Sequence, residues 1–255
     1  MVKLKSPSEI EKMAQGGRIL GGILSHLKKK AQEGVTTREI DEEAEKEILK
    51  SGGQPSFKMV PNYRFSTCLC VNEEVVHGLP SDYHLKRGDL LGIDIGLFYQ
   101  GFHTDMAQTI IIGEKSLTAS EISEKKKFLS VGQEALEKTI QVSQEGNHLG
   151  HISQTIQEII EESGYAVVRA LVGHGIGRKL HEDPQVPGFL SGEIEKTPLL
   201  KKGMTLAIEV IYNMGGAEVV YRNDGWTIAS QDGSLSGLFE KTIAVDGEKP
   251  IVLTV

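Results

Sequence analysis

The sequence predicts an α+β fold built twice over, its two halves related by a pseudo-twofold axis. Three observations carry this. Stretches with helical spacing, residues 8–50 and 120–163, are each followed by strand-like runs: 65–76 and 89–112, then 165–172, 204–213, 217–230 and 239–245. Glu33-Gly34, Ile40, Ile48 and Ser51-Gly52 recur as Glu145-Gly146, Ile152, Ile160 and Ser163-Gly164, a constant offset of 112. The run KRGDLLGID, Lys86 to Asp94, recurs as KKGMTLAIE, Lys201 to Glu209, at an offset of 115. Both copies set a basic pair and a glycine before a strand whose apolar alternation ends in a carboxylate. Asp94 and Glu209 would then approach a shared axis from opposite halves. One domain spanning 1–255 is expected, with halves of about 1–115 and 116–255.

In the first helical stretch, Ser8 followed by Glu11 has the spacing of a capping box, and Ile40, Ala44 and Ile48 form one apolar stripe. The acidic run EIDEEAEKE is then a solvated helix face, and Gly52-Gly53-Gln54-Pro55 ends the helix. The stretch GIDIGLFYQGFHTD, Gly92 to Asp105, reads as a hairpin turning near Tyr99-Gln100-Gly101. Alternation sends Leu91, Ile93 and Ile95 to one side and Asp94, with Gly92 and Gly96, to the other. A turn centred between 99 and 100 sets Asp94 directly opposite Asp105, about 5 Å apart at Cβ. Carboxylates that close repel, so either one keeps a proton or a cation lies between them. The Asp-Thr-Gly or Asp-Ser-Gly signature of a proton-sharing aspartate pair is absent. A metal is the better reading.

Bulk properties narrow the class. Hydrophobic residues make up 39% and charged residues 25%, ordinary values for a globular protein, and 255 residues can bury a large core. A formal net charge of -7 argues against nucleic acid or an anionic membrane held by charge alone. The N-terminal MVKLKSPSEIEKM lacks a signal peptide's apolar run, and no segment approaches the ~20 apolar residues of a membrane span. Cys68 and Cys70 share one strand-like run, which suits neither a disulfide nor a CxxC redox pair. A reducing cytoplasm is the expected home.

Further ligands lie downstream. LVGHGIG ends a strand in His174, flanked by glycines that admit close approach. Glu209 sits within TLAIEVIYN and Glu240 within GLFEKTIAV. The same glycines do not fit a dinucleotide fingerprint, because Arg178 occupies the last position. Four carboxylates and one imidazole suit two divalent ions, and oxygen-rich ligation favours Mn, Fe or Co over an all-thiolate zinc site. Two such ions about 3.5–4 Å apart can activate water and hold the oxyanion formed when it attacks a carbonyl.

The ordered set Asp94, Asp105, His174, Glu209 and Glu240 resembles that of the type I methionine aminopeptidases of the M24 metallopeptidases. So do NEEVVHG around His77, GHGIGRKLHEDPQV around His181, and DGWTIASQDGSLS containing Trp226. The resemblance spans nearly the whole chain. It implies the pita-bread fold, two pseudo-twofold-related α+β halves with a central curved antiparallel sheet. It also implies two divalent ions, Co2+, Mn2+, Fe2+ or Zn2+. Asp94 would bind one ion, His174 and Glu209 the other, and Asp105 and Glu240 would bridge them. Glu209 would also handle the proton of the attacking water. His181 would meet the scissile carbonyl and His77 the peptide near the scissile nitrogen. The substrate's free amine would complete one ion's shell, so that only a chain terminus is cut. Tyr63, Cys68 and Trp226, with Phe57 and Leu180, would wall an apolar methionine pocket. His103 would be supporting or structural, and His26, His84, His148 and His151 structural.

The partners implied are the N-terminal methionine of nascent polypeptides and, transiently, the ribosome, although no zinc-finger or ribosome-docking sequence precedes residue 8. A monomer is expected, without membrane or direct nucleic-acid readout. Three positions depart from the family pattern: Lys241 where histidine is usual after Glu240, Leu180 where an aromatic is favoured, and Thr104 where glycine is common. Only 28 positions separate His181 from Glu209, too few for the helical insertion of type II enzymes. Proline-directed relatives such as aminopeptidase P or prolidase share the fold but carry an additional N-terminal domain, whereas the helices here begin by residue 8. Non-catalytic pita-bread modules that bind nucleic acid or histones lose metal ligands, whereas all five persist here.

Overall fold

The helices come in two matched pairs. In the computed structural model, which describes residues 2–255, α1 (Pro7–Lys30) and α2 (Thr37–Lys50) have 24 and 14 residues. Their counterparts α3 (Ala119–Val142) and α4 (Leu149–Glu162) have 24 and 14 as well. The turns between them repeat too. Gly34 and Gly146 adopt φ of 85° and 89°, where a side chain would be strained. The Gly34 amide donates to the Leu85 carbonyl at 2.8 Å and the Gly146 amide to the Leu200 carbonyl at 3.0 Å. Two isolated bridges, Thr36 with His84 and His148 with Leu199, occupy equivalent places.

The first half adds β1 (Gln54–Pro55), β2 (Thr67–Val71), β3 (Glu74–Val76), β4 (Leu90–Tyr99) and β5 (Phe102–Ile111). The second half adds β6 (Ala166–Val167), β7 (Val172–Gly175), β8 (Glu182–Pro187) and β9 (Thr205–Asn213), then β10 (Val219–Tyr221), β11 (Ile228–Ser230), β12 (Ser236–Ala244) and β13 (Ile251–Val252). The main antiparallel sheet runs β1-β4-β5-β12-β9-β7-β8, with β2 on β4, β6 on β9 and β13 on β12. Its seam is the β5–β12 pair, one strand from each half. A small sheet, β10-β11-β3, also joins the halves.

Alternation decides which face each strand gives to the helices. Leu91, Ile93, Ile95 and Leu97 of β4 pack with Leu20, Leu24, Leu27, Ile40 and Ile48 of α1 and α2. Leu206, Ile208, Val210 and Tyr212 of β9 pack with Phe128, Ile152, Ile156 and Ile160 of α3 and α4. The intervening residues, Asp94 and Glu209 among them, therefore fall on the face away from the helices. Among the described residues no helix is long and apolar enough to cross a membrane.

Four expectations are corrected. The first helix is capped by Ser6, not Ser8: Pro7 stands at the first helical position, and Glu9 accepts from the Ser6 amide at 2.9 Å. The stretch 8–50 is two helices, because Gly34 can turn between them where a continuous helix cannot. The long strand-like runs are shorter and divided: 165–172 holds only Ala166–Val167 and the start of β7, and 217–230 splits into β10 and β11. The hairpin register differs by two residues. Gly96 faces Asp105 and Asp94 faces Ala107, since the turn is Gln100-Gly101, both left-handed at φ 49° and 87°. That is the backbone of a two-residue hairpin loop matching the strand twist. Asp94 and Asp105 thus share a face as diagonal, not opposed, neighbours.

Candidate metal centre

Five neighbouring strands each contribute one donor. In sheet order these are Asp94 on β4, Asp105 on β5, Glu240 on β12, Glu209 on β9 and His174 on β7. Glu240 lies directly opposite Glu209, and His174 sits in register with Ala207, two residues before Glu209. Ligating atoms of Asp105, His174 and Glu240 lie within 4.8 Å of one another. Glu209 Oε1 is 3.6 Å from His174 Nε2.

Uncompensated charge dominates this cluster. Burial, then Glu209, pushes the Asp94 carboxyl well up; burial, then Asp94, does the same to Asp105. Glu240 is raised by burial, then by Asp105, Glu209 and Asp94. Glu209 is pushed up to about 8 by burial and Asp105. Asp94 Oδ1 and Glu240 Oε1 are sealed from water and accept no hydrogen bond. Such buried, unpartnered acceptors cost free energy unless a cation meets them. His174 is neutral, held down to about 4 mainly by burial. Its Nδ1 donates to the Gly175 carbonyl at 2.8 Å, which leaves the Nε2 lone pair directed at the carboxylates. An oxygen-rich set with one imidazole lone pair and orphaned carboxylate oxygens fits divalent cations.

One cavity of about 150 Å³ is lined by all ten residues singled out from the sequence: Tyr63, Cys68, His77, Asp94, Asp105, His174, His181, Glu209, Trp226 and Glu240. Phe57 and Leu180 line it as well. Its other wall residues, Val60 and Val76, escaped sequence reasoning, because each reads as an ordinary apolar residue in a loop or strand. On the apolar side the Tyr63 and Trp226 rings meet edge-on, 4.9 Å between centroids. Tyr63 Oη donates to the Thr67 carbonyl at 2.8 Å and lies 3.2 Å from Cys68 Sγ. Cys68 pairs across to Asp94. Burial and then Asp94 raise its thiol far above the ordinary range, so it stays protonated; both cysteines are free.

The two remaining histidines stand at the mouth. His77 follows β3 with φ 57°, a strained conformation for a side chain with a Cβ. The His181 ring lies 4.5 Å from that of His174, and burial keeps both His77 and His181 below the usual imidazole value. Outside, a cleft of about 660 Å³ shares Val76, His77, His174, His181 and Glu209 with the cavity and continues past Leu171, Gln185 and Ile211.

The other histidines lie elsewhere. His103 is buried with Nδ1 2.9 Å from Ser56 Oγ, and His148 Nδ1 donates to the Thr197 carbonyl at 2.7 Å. His84 Nδ1 donates to the Gly34 carbonyl at 2.9 Å, His151 Nδ1 accepts from the His148 amide at 3.0 Å, and His26 pairs with Glu43 at 2.9 Å. Lys241, one position after Glu240, points to the opposite face, where its Nζ donates to the Thr254 carbonyl at 2.5 Å.

A duplicated α+β fold whose halves meet over four carboxylates and an imidazole defines a hydrolase of the divalent-metal class. Residues 11–247 match metallopeptidase family M24. The chain is 43% identical over 254 residues to the methionine aminopeptidase of Clostridium perfringens, covering 100% of this chain and 99% of the relative. It is 42% identical over 245 residues to methionine aminopeptidase 1 of Bacillus subtilis, covering 96% of each. The crystal structure of the methionine aminopeptidase from Thermotoga maritima superposes with a TM-score of 0.93 at 40% identity, over 100% of this chain and 99% of that one. The fold is accordingly the pita-bread fold, and the chain belongs to the metallopeptidase family M24.

Proposed function

We propose that the chain is a metal-dependent aminopeptidase that removes the N-terminal methionine of nascent proteins and peptides, preferring a small second residue. The observation that carries this is the five-strand array of four carboxylates and an imidazole, with Asp94 Oδ1 and Glu240 Oε1 sealed and unpartnered, opening directly onto an apolar pocket. The whole chain acts as one catalytic domain, its halves of about 1–115 and 116–255 each supplying part of the array. Asp94, His174 and Glu209, with Asp105 and Glu240 shared, would hold two divalent ions, Co2+, Mn2+, Fe2+ or Zn2+. When bound, such a pair supplies the Lewis acidity that makes water nucleophilic near neutral pH.

The chain's own residues do the rest. Tyr63, Cys68 and Trp226 receive the methionine side chain, and Phe57 and Leu180 close the pocket's apolar wall. Glu209 takes a proton from the attacking water as its oxygen bonds to the first carbonyl carbon. That proton passes to the departing nitrogen as the carbon–nitrogen bond breaks, leaving free methionine and a shortened chain. His181, neutral and at the mouth, donates its ring N–H to the oxygen on which charge develops. His77 holds the peptide near the scissile nitrogen, and the outer cleft admits the remaining chain. The enzyme works as a cytoplasmic monomer that meets its substrates at the ribosome transiently.

Purified protein supplied with Mn2+ or Co2+ should release methionine from Met-Ala and Met-Gly peptides and spare Met-Lys peptides. Inactivity on all of these with every divalent ion contradicts the reading, and preference for an X-Pro bond moves it to the proline-directed members of the fold.

A further inference from the structure

Where the two halves meet, β5 and β12 pair through only three positions: Gln108 with Phe239, Ala107 with Glu240 and Met106 with Lys241. On either side of these a threonine stands where the ladder would continue. Thr242 Oγ1 accepts from the Asp105 amide at 2.9 Å and donates to the Asp105 carbonyl at 2.7 Å. Thr109 Oγ1 accepts from the Leu238 amide at 2.9 Å and donates to the Leu238 carbonyl at 3.0 Å. A hydroxyl carries one donor and two acceptor lone pairs, so each threonine satisfies both backbone groups of the residue facing it. Each half thus grips the other with one side chain, symmetrically about Ala107 and Glu240.

The grips are alike but their cargo differs. Leu238 is a core residue. Asp105 bears a carboxylate of the central cluster, and its Oδ1 is tied to the backbone through the Met106 amide at 3.1 Å. Thr242 is itself fixed: it is fully buried, its amide donates to Thr254 Oγ1 at 3.0 Å, and its carbonyl accepts from Leu253 at 2.9 Å. Glu240 lies two residues earlier on the same strand. A shift of Thr242 therefore moves Asp105 relative to Glu240.

We propose that Thr242 is a positioning residue of the metal centre, its hydroxyl clamp setting the separation of the Asp105 and Glu240 carboxylates. This rests on the metal-binding reading given above. The Thr109 clamp is its structural twin, gripping β12 equally two residues from Glu240 but at Leu238, which carries no ligand itself, and so provides the control.

The test is calorimetric titration of the metal-free full chain with Mn2+ alone, alongside its thermal midpoint. Thr242→Val is expected to raise the Mn2+ Kd by about 10-fold or more, the scale seen when groups supporting metal ligands are removed. Thr109→Val should lower the thermal midpoint comparably yet leave that Kd little changed, and Thr242→Ser should restore tight binding. An equal rise in both valine variants, or none in Thr242→Val, overturns the proposal. Should Thr242→Val not fold, hydrogen exchange on the unaltered chain decides. Under conditions where these amides exchange by local opening, not global unfolding, Mn2+ should slow exchange at the Asp105 amide more than at the Leu238 amide, and equal slowing overturns the proposal. Absence of Mn2+ binding by the unaltered chain instead refutes the metal-binding reading, and the proposal with it.

Discussion

Asp105 and Glu240 are the residues whose ionisation is hardest to explain without a cation, being buried among other carboxylates. Replacing either by its amide, Asp105→Asn or Glu240→Gln, removes a negative donor while keeping shape. Each change should lower bound metal by about one ion per chain and abolish turnover, because in the proposed centre both ions would depend on these two ligands. Elemental analysis after dialysis checks this, and full activity in either variant contradicts the shared role. A different carboxylate tests the electrostatics away from the centre. Asp232 is held down to about 2, chiefly by the Gly216 amide, which donates to it at 2.8 Å, with the Ser234 amide donating at 3.0 Å. Because its folded value lies below the unfolded one, its contribution to stability is present above about pH 4 and lost as pH falls toward 2. A carboxyl-carbon NMR titration should place its midpoint near 2, and a midpoint at the ordinary aspartate value contradicts the turn geometry. Single residues were the most legible part of the sequence. A carboxylate inside an apolar strand is conspicuous, whereas Val60 and Val76 carry no mark that separates a pocket wall from any other apolar position.

At the scale of elements, identity was readable and boundaries were not. The periodicities separate helix from strand, but the hairpin register depends on a turn in which both Gln100 and Gly101 take positive φ. Nothing in the pattern of apolar residues distinguishes that turn from one a residue earlier. Likewise Ser6 and Ser8 both offer an acid three residues on, and Pro7 at the first helical position decides between them. The C-terminal tail shows why close approach must be seen in three dimensions. A Cβ at Gly17 of α1 would stand 2.1 Å from the Leu253 carbonyl oxygen, and one at Gly21 would meet the Val255 backbone, so the tail lies on the helix where these glycines leave room. Gly17→Ala gains helix propensity of up to about 1 kcal/mol but forces the tail away, at about 1–3 kcal/mol for overpacking. The second effect should win, seen as a lowered midpoint in urea unfolding; a raised midpoint contradicts the packing.

The whole molecule is one unit drawn twice and closed along β5 and β12. The repeat in the sequence announced this, since a constant offset of 112 between helix pairs survives in matched lengths and matched glycine turns. The small sheet tying β3 to β10 and β11 was not announced: its strands fall within runs that read as strand, but alternation within a run says nothing of which distant run it pairs with. Since the donors come from both halves, a cation that binds them should stabilise the entire fold. At free Mn2+ of 100 times its Kd the gain is about 2.7 kcal/mol, and at this chain length each kcal/mol raises the melting midpoint by roughly 2–4 °C. Scanning calorimetry with and without Mn2+ should therefore show a single transition moved upward. An unmoved midpoint, or a transition split between halves, contradicts a shared centre.

The most direct measurement is an anomalous difference map from crystals grown with Mn2+. Two peaks enclosed by Asp94, Asp105, His174, Glu209 and Glu240 are predicted. A map featureless at that place, with manganese bound elsewhere or nowhere, contradicts the account.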